Sequence, residues 1–86
     1  MTELDDYAGV PRYVQVARIL ESEIRSGVWK PGSAVPSVTV LYQRFEIART
    51  TASKAHARLA ERGMAVPSPG IGMIVTPRAR WAQPED

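Results

Sequence analysis

Apolar residues recur at helical spacing through the N-terminal half of the chain, and residues typical of turns bound each run. The first run is Tyr13, Val16, Ala17, Leu20 and Ile24. This spacing puts all five side chains on one face of an α-helix, with polar residues on the other face. Pro11 suits the start of a helix because its missing N–H would have no partner there. Gly27 suits the left-handed residue that often ends one. The pattern therefore predicts a first helix between Pro11 and Gly27.

Two more helices are predicted beyond a turn at residues 30–32. Ser37 can accept a hydrogen bond from a first-turn N–H and so cap a second helix. The apolar residues of that helix are Val38, Leu41, Tyr42 and Phe45. After a short break, a third helix is expected from Arg49 to Arg62, with Gly63 closing it. Its inward stripe consists of Ala52, Ala55, His56 and Leu59.

Two short apolar runs follow, at residues 64–66 and 73–75, and a glycine-containing loop of residues 67–72 joins them. Such a pair predicts a β-hairpin. The fold class is therefore α+β, mainly α, with three helices and a small antiparallel hairpin. This order is that of a winged helix-turn-helix, in which the third helix enters the DNA major groove. The predicted domain spans residues 11–76, between an N-terminal tail (1–10) and a C-terminal tail (77–86).

Composition excludes several classes of protein. The 86 residues amount to one small domain, and they include one His and no Cys. A disulfide framework and a thiolate metal site are thereby excluded, and no metal or cofactor is expected. No catalytic constellation is present, so the chain is predicted not to be an enzyme. The acidic N-terminus is unlike a signal peptide, and no apolar run could span a bilayer. A cytoplasmic protein that does not contact membranes is expected.

Charge is distributed unevenly along the chain. All eleven Lys and Arg lie between Arg12 and Arg80, a span that holds only four of the nine acids and so carries +7. The other five acids lie near the two ends. A basic body with acidic ends favours a polyanionic partner. Basic residues that serve only solubility are the alternative interpretation.

The stretch from Pro11 to Val75 resembles the N-terminal DNA-binding domain of the GntR family of bacterial transcription regulators. The motifs that carry the resemblance are Tyr13-x-Gln15-x-Ala17, Ile24-x-x-Gly27, Lys30-Pro31-Gly32, Pro36-Ser37, Arg49-Thr50-Thr51, Ala55-x-x-x-Leu59, Gly63 and Gly70-x-Gly72. The resemblance implies a repressor or activator that binds double-stranded operator DNA, usually as a homodimer on a palindrome. Members of this family normally add a C-terminal ligand-binding domain. Only eleven residues follow Val75, so no site for a small-molecule effector is expected.

The candidate DNA-binding residues lie on the second and third helices and in the hairpin. They are Arg49, Thr50, Thr51, Ser53, Lys54, Ser37, Thr39, Arg58, Gly70 and Gly72. Arg49 could make a bidentate contact with guanine O6 and N7; a phosphate contact or an intrachain contact is the alternative. Lys54 and Arg58 are expected beside the DNA backbone, unless they are ordinary solvated charges. The hydroxyls could equally be helix caps or surface groups.

Several positions depart from the family pattern. Val38-Thr39 replaces an acid-Arg pair, Glu46 stands where the tight turn usually has Gly, and Ala48 replaces a capping Ser. Ser53 replaces a second arginine, and the hairpin lacks its usual basic residues. These changes predict fewer charged contacts with DNA. They also leave open a second function, that of a winged-helix protein-interaction adaptor with little DNA affinity. Trp81 could anchor the C-terminal tail or a self-association patch.

Overall fold

The computed structural model describes residues 4–84. Along the chain it contains α1 (Arg12–Arg25), α2 (Val38–Phe45), α3 (Arg49–Glu61), β1 (Ala65–Ser68), β2 (Gly72–Val75) and a short 3₁₀ helix, Arg78–Arg80. The three helices and the antiparallel hairpin confirm the predicted winged helix-turn-helix and the α+β, mainly α class. Residues 1–3 and 85–86 of the two predicted tails lie outside the described residues.

The apolar stripes predicted from the sequence form one core, in which α1 packs against α3 and α2 also packs against α3. Pro11 is the N-cap of α1, and Gly27 adopts φ +92° just beyond its end, as predicted. The buried apolar residues are Val16, Ala17, Leu20, Ile24, Val35, Leu41, Phe45, Ile47, Ala52, Ala55, Leu59, Met64, Ala65, Met73 and Val75. His56, which was also predicted to face inward, is only half-buried.

The hairpin is longer and its loop shorter than the sequence suggested. Ala65 pairs with Val75 and Ser68 with Gly72, so only residues 69–71 form the loop. Pro67 lies within β1, which is tolerated because β1 is an edge strand and the missing N–H breaks no ladder bond. On the other side of β2, the segment after the predicted turn pairs with the hairpin: the Val35 N–H donates to the Met73 carbonyl at 2.9 Å.

The C-terminal segment, predicted to be a tail, contacts the domain as far as Gln83, whose carbonyl accepts a hydrogen bond from Arg62. The Trp81 ring lies against the core, and its Nε1 donates to the Thr76 carbonyl at 2.9 Å. The Ala82 N–H donates to the Arg62 carbonyl at 2.9 Å. Gly63, at φ +69°, lies so close to the Arg80 carbonyl that a Cβ there would collide with it. Trp81 thus anchors its own segment, whereas its role in self-association stays a prediction.

Candidate nucleic-acid interface

A tight turn connects α2 to α3 and sets the position of the exposed face of α3. Ser37 caps α2 as predicted, since its hydroxyl accepts a hydrogen bond from the Val40 N–H at 3.2 Å. Glu46 ends α2 in the left-handed conformation, with φ 55° and ψ 47°. Ile47 then enters the core, and Ala48 precedes α3 without a side-chain cap. Glu46 therefore adopts a conformation that glycine adopts without strain.

The two faces of α3 differ sharply in chemistry. Ala52, Ala55 and Leu59 have no exposed surface and lie in the core. On the exposed face near the N-terminus lie four of the predicted site residues: Arg49, Thr50, Ser53 and Lys54. Thr51 and Arg58 are half-buried at the margins of this face. The structure thus brings the α3 candidates together on one surface, which also includes Thr39 of α2 through its contact with Arg49.

Arg49 makes two contacts with α2. Its Nη1 donates to Thr39 Oγ1 at 3.0 Å. Its guanidinium carbon lies 4.8 Å from the centre of the Tyr42 ring, which is within cation–π distance. Sequence reasoning missed Tyr42, because the helical spacing places it only in the apolar stripe, whereas the residue is 43% exposed. The available signal was its spacing of three residues from Thr39, which places both on one helix face.

Two other contacts hold α3 in place beside this surface. Lys54 Nζ lies 6.0 Å from the centre of the Tyr13 ring on α1. His56 Nε2 lies 2.8 Å from the Pro36 carbonyl oxygen, just before α2. These contacts connect α3 to α1 and to the start of α2, so the exposed residues are carried by a rigid element.

Within the described part of the chain, other arginines of the basic body form ion pairs with carboxylates. Arg12 pairs with Asp6 at 2.7 Å, and Arg44 pairs with Glu23 at 2.5 Å. Arg25 and Arg62 both bind Glu21, at 2.9 Å and 2.6 Å; these three residues are the Glu21 cluster. The sequence could not reveal the Glu21 cluster, because Arg62 and Glu21 are far apart along the chain.

The two glutamates of α1 in these pairs are stabilised as carboxylates. Burial opposes ionisation of Glu21, but hydrogen bonds from Arg62 and Arg25 outweigh it and hold the pKa of this carboxyl below its ordinary value. Hydrogen bonds from Arg44 lower the pKa of Glu23 against the opposing effect of burial, with a further bond from Trp29. These pairs connect α1 to α2 through Arg44 and to the C-terminal end of α3 through Arg62.

The wing, defined here as β1, β2 and their loop, contrasts with α3. Gly70 and Gly72 adopt φ +80° and +118°, as a three-residue loop between paired strands requires. The chain carries no charged residue between Gly63 and Pro77. Ile71 at the tip is 65% exposed, and Val66 is exposed as well. The wing therefore has no basic residues, and its tip has an apolar surface instead.

α2, the tight turn and α3 form a helix-turn-helix in which α3 has an exposed polar and cationic face. An antiparallel hairpin follows α3, and this combination defines the winged helix-turn-helix class. The profile described as bacterial regulatory proteins, gntR family, matches residues 12–75. The chain belongs to the GntR family, as its sequence motifs predicted. Within residues 4–84, no helix has the length and apolarity needed to cross a membrane.

Relatives agree with this assignment. The chain is 34% identical over 68 residues to the histidine utilization repressor of Klebsiella aerogenes, covering 79% of this chain and 28% of that protein. It thus spans less than a third of that relative's length. YtrA of Sulfolobus acidocaldarius, a GntR-family transcription factor, matches with a TM-score of 0.79 and 27% identity over 91% of this chain and 66% of that one. The AraR DNA-binding domain in complex with operator ORX1 matches with a TM-score of 0.75 and 29% identity, over 88% of this chain and 90% of that one.

Proposed function

We propose that this chain is the DNA-binding unit of a transcription repressor that recognises operator DNA through α3. The observation that carries the proposal is the similarity to the AraR domain, solved on its operator, which extends over 88% of this chain. The exposed face of α3 has the chemistry that this role needs. A guanidinium, an ammonium and hydroxyls can donate to base edges and phosphates.

Each candidate residue has a specific proposed role. Arg49 donates to guanine O6 and N7, since the N-terminal part of a recognition helix meets the base edges. Lys54 and Arg58 contact phosphates, and Thr50, Thr51 and Ser53 donate to phosphates or bases at the same surface. At the edges of the interface, Ser37 and Thr39 lie at the start of α2, and the wing glycines Gly70 and Gly72 let the backbone approach the DNA.

The assembly that this function requires is also a proposal. A palindromic operator needs two copies related by a two-fold axis, so we propose a homodimer on DNA. Such a regulator acts where the chromosome is, which favours the cytoplasm of a bacterial cell. The proposed role is binding, not catalysis.

Selection from a randomised duplex pool tests the proposal directly. The wild-type protein is expected to enrich a sequence with guanine at one or more positions. Fluorescence anisotropy then compares the enriched duplex with a scrambled one of the same composition, over a series of salt concentrations. Tighter binding to the enriched duplex is expected at every salt concentration, and equal, weak binding to both duplexes would contradict the proposal.

A second function, that of a protein-interaction adaptor, is favoured by the wing. Its exposed Ile71 and Val66 and its lack of charge suit a protein surface better than a phosphate backbone. Glu46 adds negative charge beside α3. If the enriched and scrambled duplexes bind equally weakly, the adaptor takes the place of the regulator.

A further inference from the structure

The contacts that α2 makes with Arg49 suggest a role for two residues beyond the helix that reads DNA. We infer that Tyr42 and Thr39 are positioning residues that fix the Arg49 guanidinium for recognition of a guanine base. The inference rests on the proposed function and deepens it. It assigns to Tyr42 a part in base specificity, and it gives Thr39 a role that acts through Arg49.

Two groups on α2 restrict the Arg49 side chain. An arginine side chain has many rotamers, and ordering it costs up to about 2 kcal/mol of conformational entropy. The Tyr42 ring at 4.8 Å supports one face of the guanidinium, and Thr39 Oγ1 accepts from Nη1 at 3.0 Å. Together the ring and the hydroxyl restrict both the plane and the rotation of the group. Part of the conformational entropy of the Arg49 side chain is therefore already lost before DNA binds.

The Arg49 guanidinium keeps enough donors to bind a base while it is bonded to Thr39. A guanidinium carries five N–H donors in a planar fork, and a bidentate contact with guanine uses two of them. Thr39 accepts from Nη1, which bears two hydrogens. The Nε–Nη2 edge of the fork is therefore compatible with a guanine contact while the Thr39 bond is intact. The positioning contacts and the base contact do not compete.

Stability alone does not explain why Arg49 and Tyr42 lie in contact at an exposed position. Arg49 is exposed at the N-terminus of α3, where a positive charge opposes the helix dipole. Tyr42 is 43% exposed although it is a large aromatic residue. Arg49 and Tyr42 stack at an exposed position beside the start of α3. Positioning of the guanidinium for a ligand explains this contact better than packing does.

The test uses the duplex enriched by the wild-type protein and a set of single-base variants of it. Tyr42→Leu is expected to weaken binding to the enriched duplex about 2- to 5-fold, the range of an exposed cation–π contact. Its loss of discrimination is expected at the same base position that Arg49→Ala relaxes. Thr39→Val, which keeps the shape and removes the hydroxyl, is expected to act at that position too.

Two controls separate positioning from other causes. Tyr42→Phe retains the ring and is expected to bind as the wild type does. Val40→Leu, an exposed substitution on the same helix, is expected to change nothing. Because Tyr42 is half-exposed, all variants are expected to fold, and circular dichroism and thermal melting check this.

The decisive measurement is the double-mutant cycle with Arg49→Ala. In that background Tyr42→Leu and Thr39→Val are expected to have no further effect. An equal loss in both backgrounds would mean that Tyr42 contacts DNA on its own account, and no loss in either would mean that it does not position Arg49; either result overturns the inference. These failures are distinct from failure of the proposed function, in which the wild-type protein binds the enriched and the scrambled duplex equally weakly.

Discussion

Arg49 and Arg62 stand at opposite ends of α3 and use the same positive charge in opposite ways. Arg62 is largely buried, pairs with Glu21 and also donates to the Gln83 carbonyl. It lies at the C-terminus of the helix, where a cation is favoured by the dipole. Arg49 lies at the N-terminus, where a cation is disfavoured, and contacts a hydroxyl and a ring. Arg62 therefore stabilises the fold, whereas the position of Arg49 is not one that stability alone would favour.

The largest expected effect is at the Arg62 end of α3, in the glycine that follows it. Gly63→Ala introduces a Cβ at φ +69° that collides with the Arg80 carbonyl. Strain of the left-handed conformation and overpacking together are expected to cost about 2–4 kcal/mol of unfolding free energy. Urea unfolding measures this loss of unfolding free energy. Gly27→Ala is the matched control, because Gly27 has φ +92° but open space around its Cβ position. Equal losses in the two variants would contradict the collision.

The next largest expected effect is the loss of stability when Glu21, the carboxylate of the Glu21 cluster, is substituted. The Glu21 side chain is 7% exposed. Glu21→Gln removes the charge that pairs with Arg25 and Arg62, and is expected to cost about 2–3 kcal/mol because both arginines are then left without their carboxylate. Glu61→Gln makes the same change of charge at an exposed position and is expected to stay within about 0.5 kcal/mol of the wild type. Comparable losses from both would show that net charge matters more than the pairing.

At the other end of the helix, the expected loss is in binding and not in stability. Arg49→Ala is expected to weaken binding to the enriched duplex by about 1–3 kcal/mol and to relax preference at one base position. Thermal melting is expected to show little change in stability, because the loss of the exposed contacts with Tyr42 and Thr39 opposes the removal of the unfavourable interaction with the helix dipole.

Lys54→Ala supplies the comparison for Arg49 on the same exposed face. It is expected to weaken binding to all duplexes alike and to reduce the salt slope by about one unit. Anisotropy titrations over a salt series measure both variants. If Arg49→Ala also weakens all sequences uniformly, its contact is with phosphate and not with a base.

A smaller loss of stability is expected in acid. The folded-state pKa values of Glu21 and Glu23 lie below the ordinary glutamate value of about 4.3. Their contribution to stability is therefore fully present above that value and is lost as pH falls through the lower folded-state values. Melting temperatures between neutral pH and pH 3 measure the loss. The double variant Glu21→Gln, Glu23→Gln is expected to have a flatter profile, and an identical profile would refute the assignment.

The smallest effect is expected at the turn before α3. Glu46→Gly relieves the left-handed strain at φ 55° and adds backbone freedom to the unfolded chain. The two terms oppose each other, so the expected gain in stability is below about 1 kcal/mol. Glu46→Gln keeps the strain and removes the charge. If Glu46→Gln stabilises the protein as much as Glu46→Gly does, the charge and not the backbone is the cause.

The helices were predictable because each one buries a regular stripe. The residues from Val16 to Ile24 alternate with polar neighbours at helical spacing, and this periodicity is a local property of the sequence. The motifs at Pro36-Ser37 and Arg49-Thr50-Thr51 also identified the family. Ser37, Arg49 and Lys54 could therefore be assigned to particular helices from the amino-acid sequence alone.

The remaining features of the fold and the site depend on contacts between different elements of the structure, which the sequence does not specify. Arg25 donates to the Ala82 carbonyl and Arg62 to that of Gln83. Trp81 was the one signal in this segment, as a candidate anchor of the tail. Backbone carbonyls carry no residue-specific signal, so the sequence did not show that Arg25 and Arg62 would bind this segment. The pairing of Val35 with Met73 was likewise invisible, because one buried valine beside a turn has no periodicity. The support of Arg49 by Tyr42 depends on the angle between α2 and α3, which the spacing along the chain does not specify.

The prolines of the wing have a thermodynamic consequence. Pro67 and Pro69 lie on either side of Ser68, and each ring restricts its own φ. The backbone of this segment therefore has little freedom left to lose when another surface immobilises it. A glycine- and lysine-rich loop would gain Coulomb attraction but would become ordered only on contact, at an entropic cost. Here the backbone of residues 67–69 is already restricted before contact, so immobilising this side of the wing on a partner costs little further entropy.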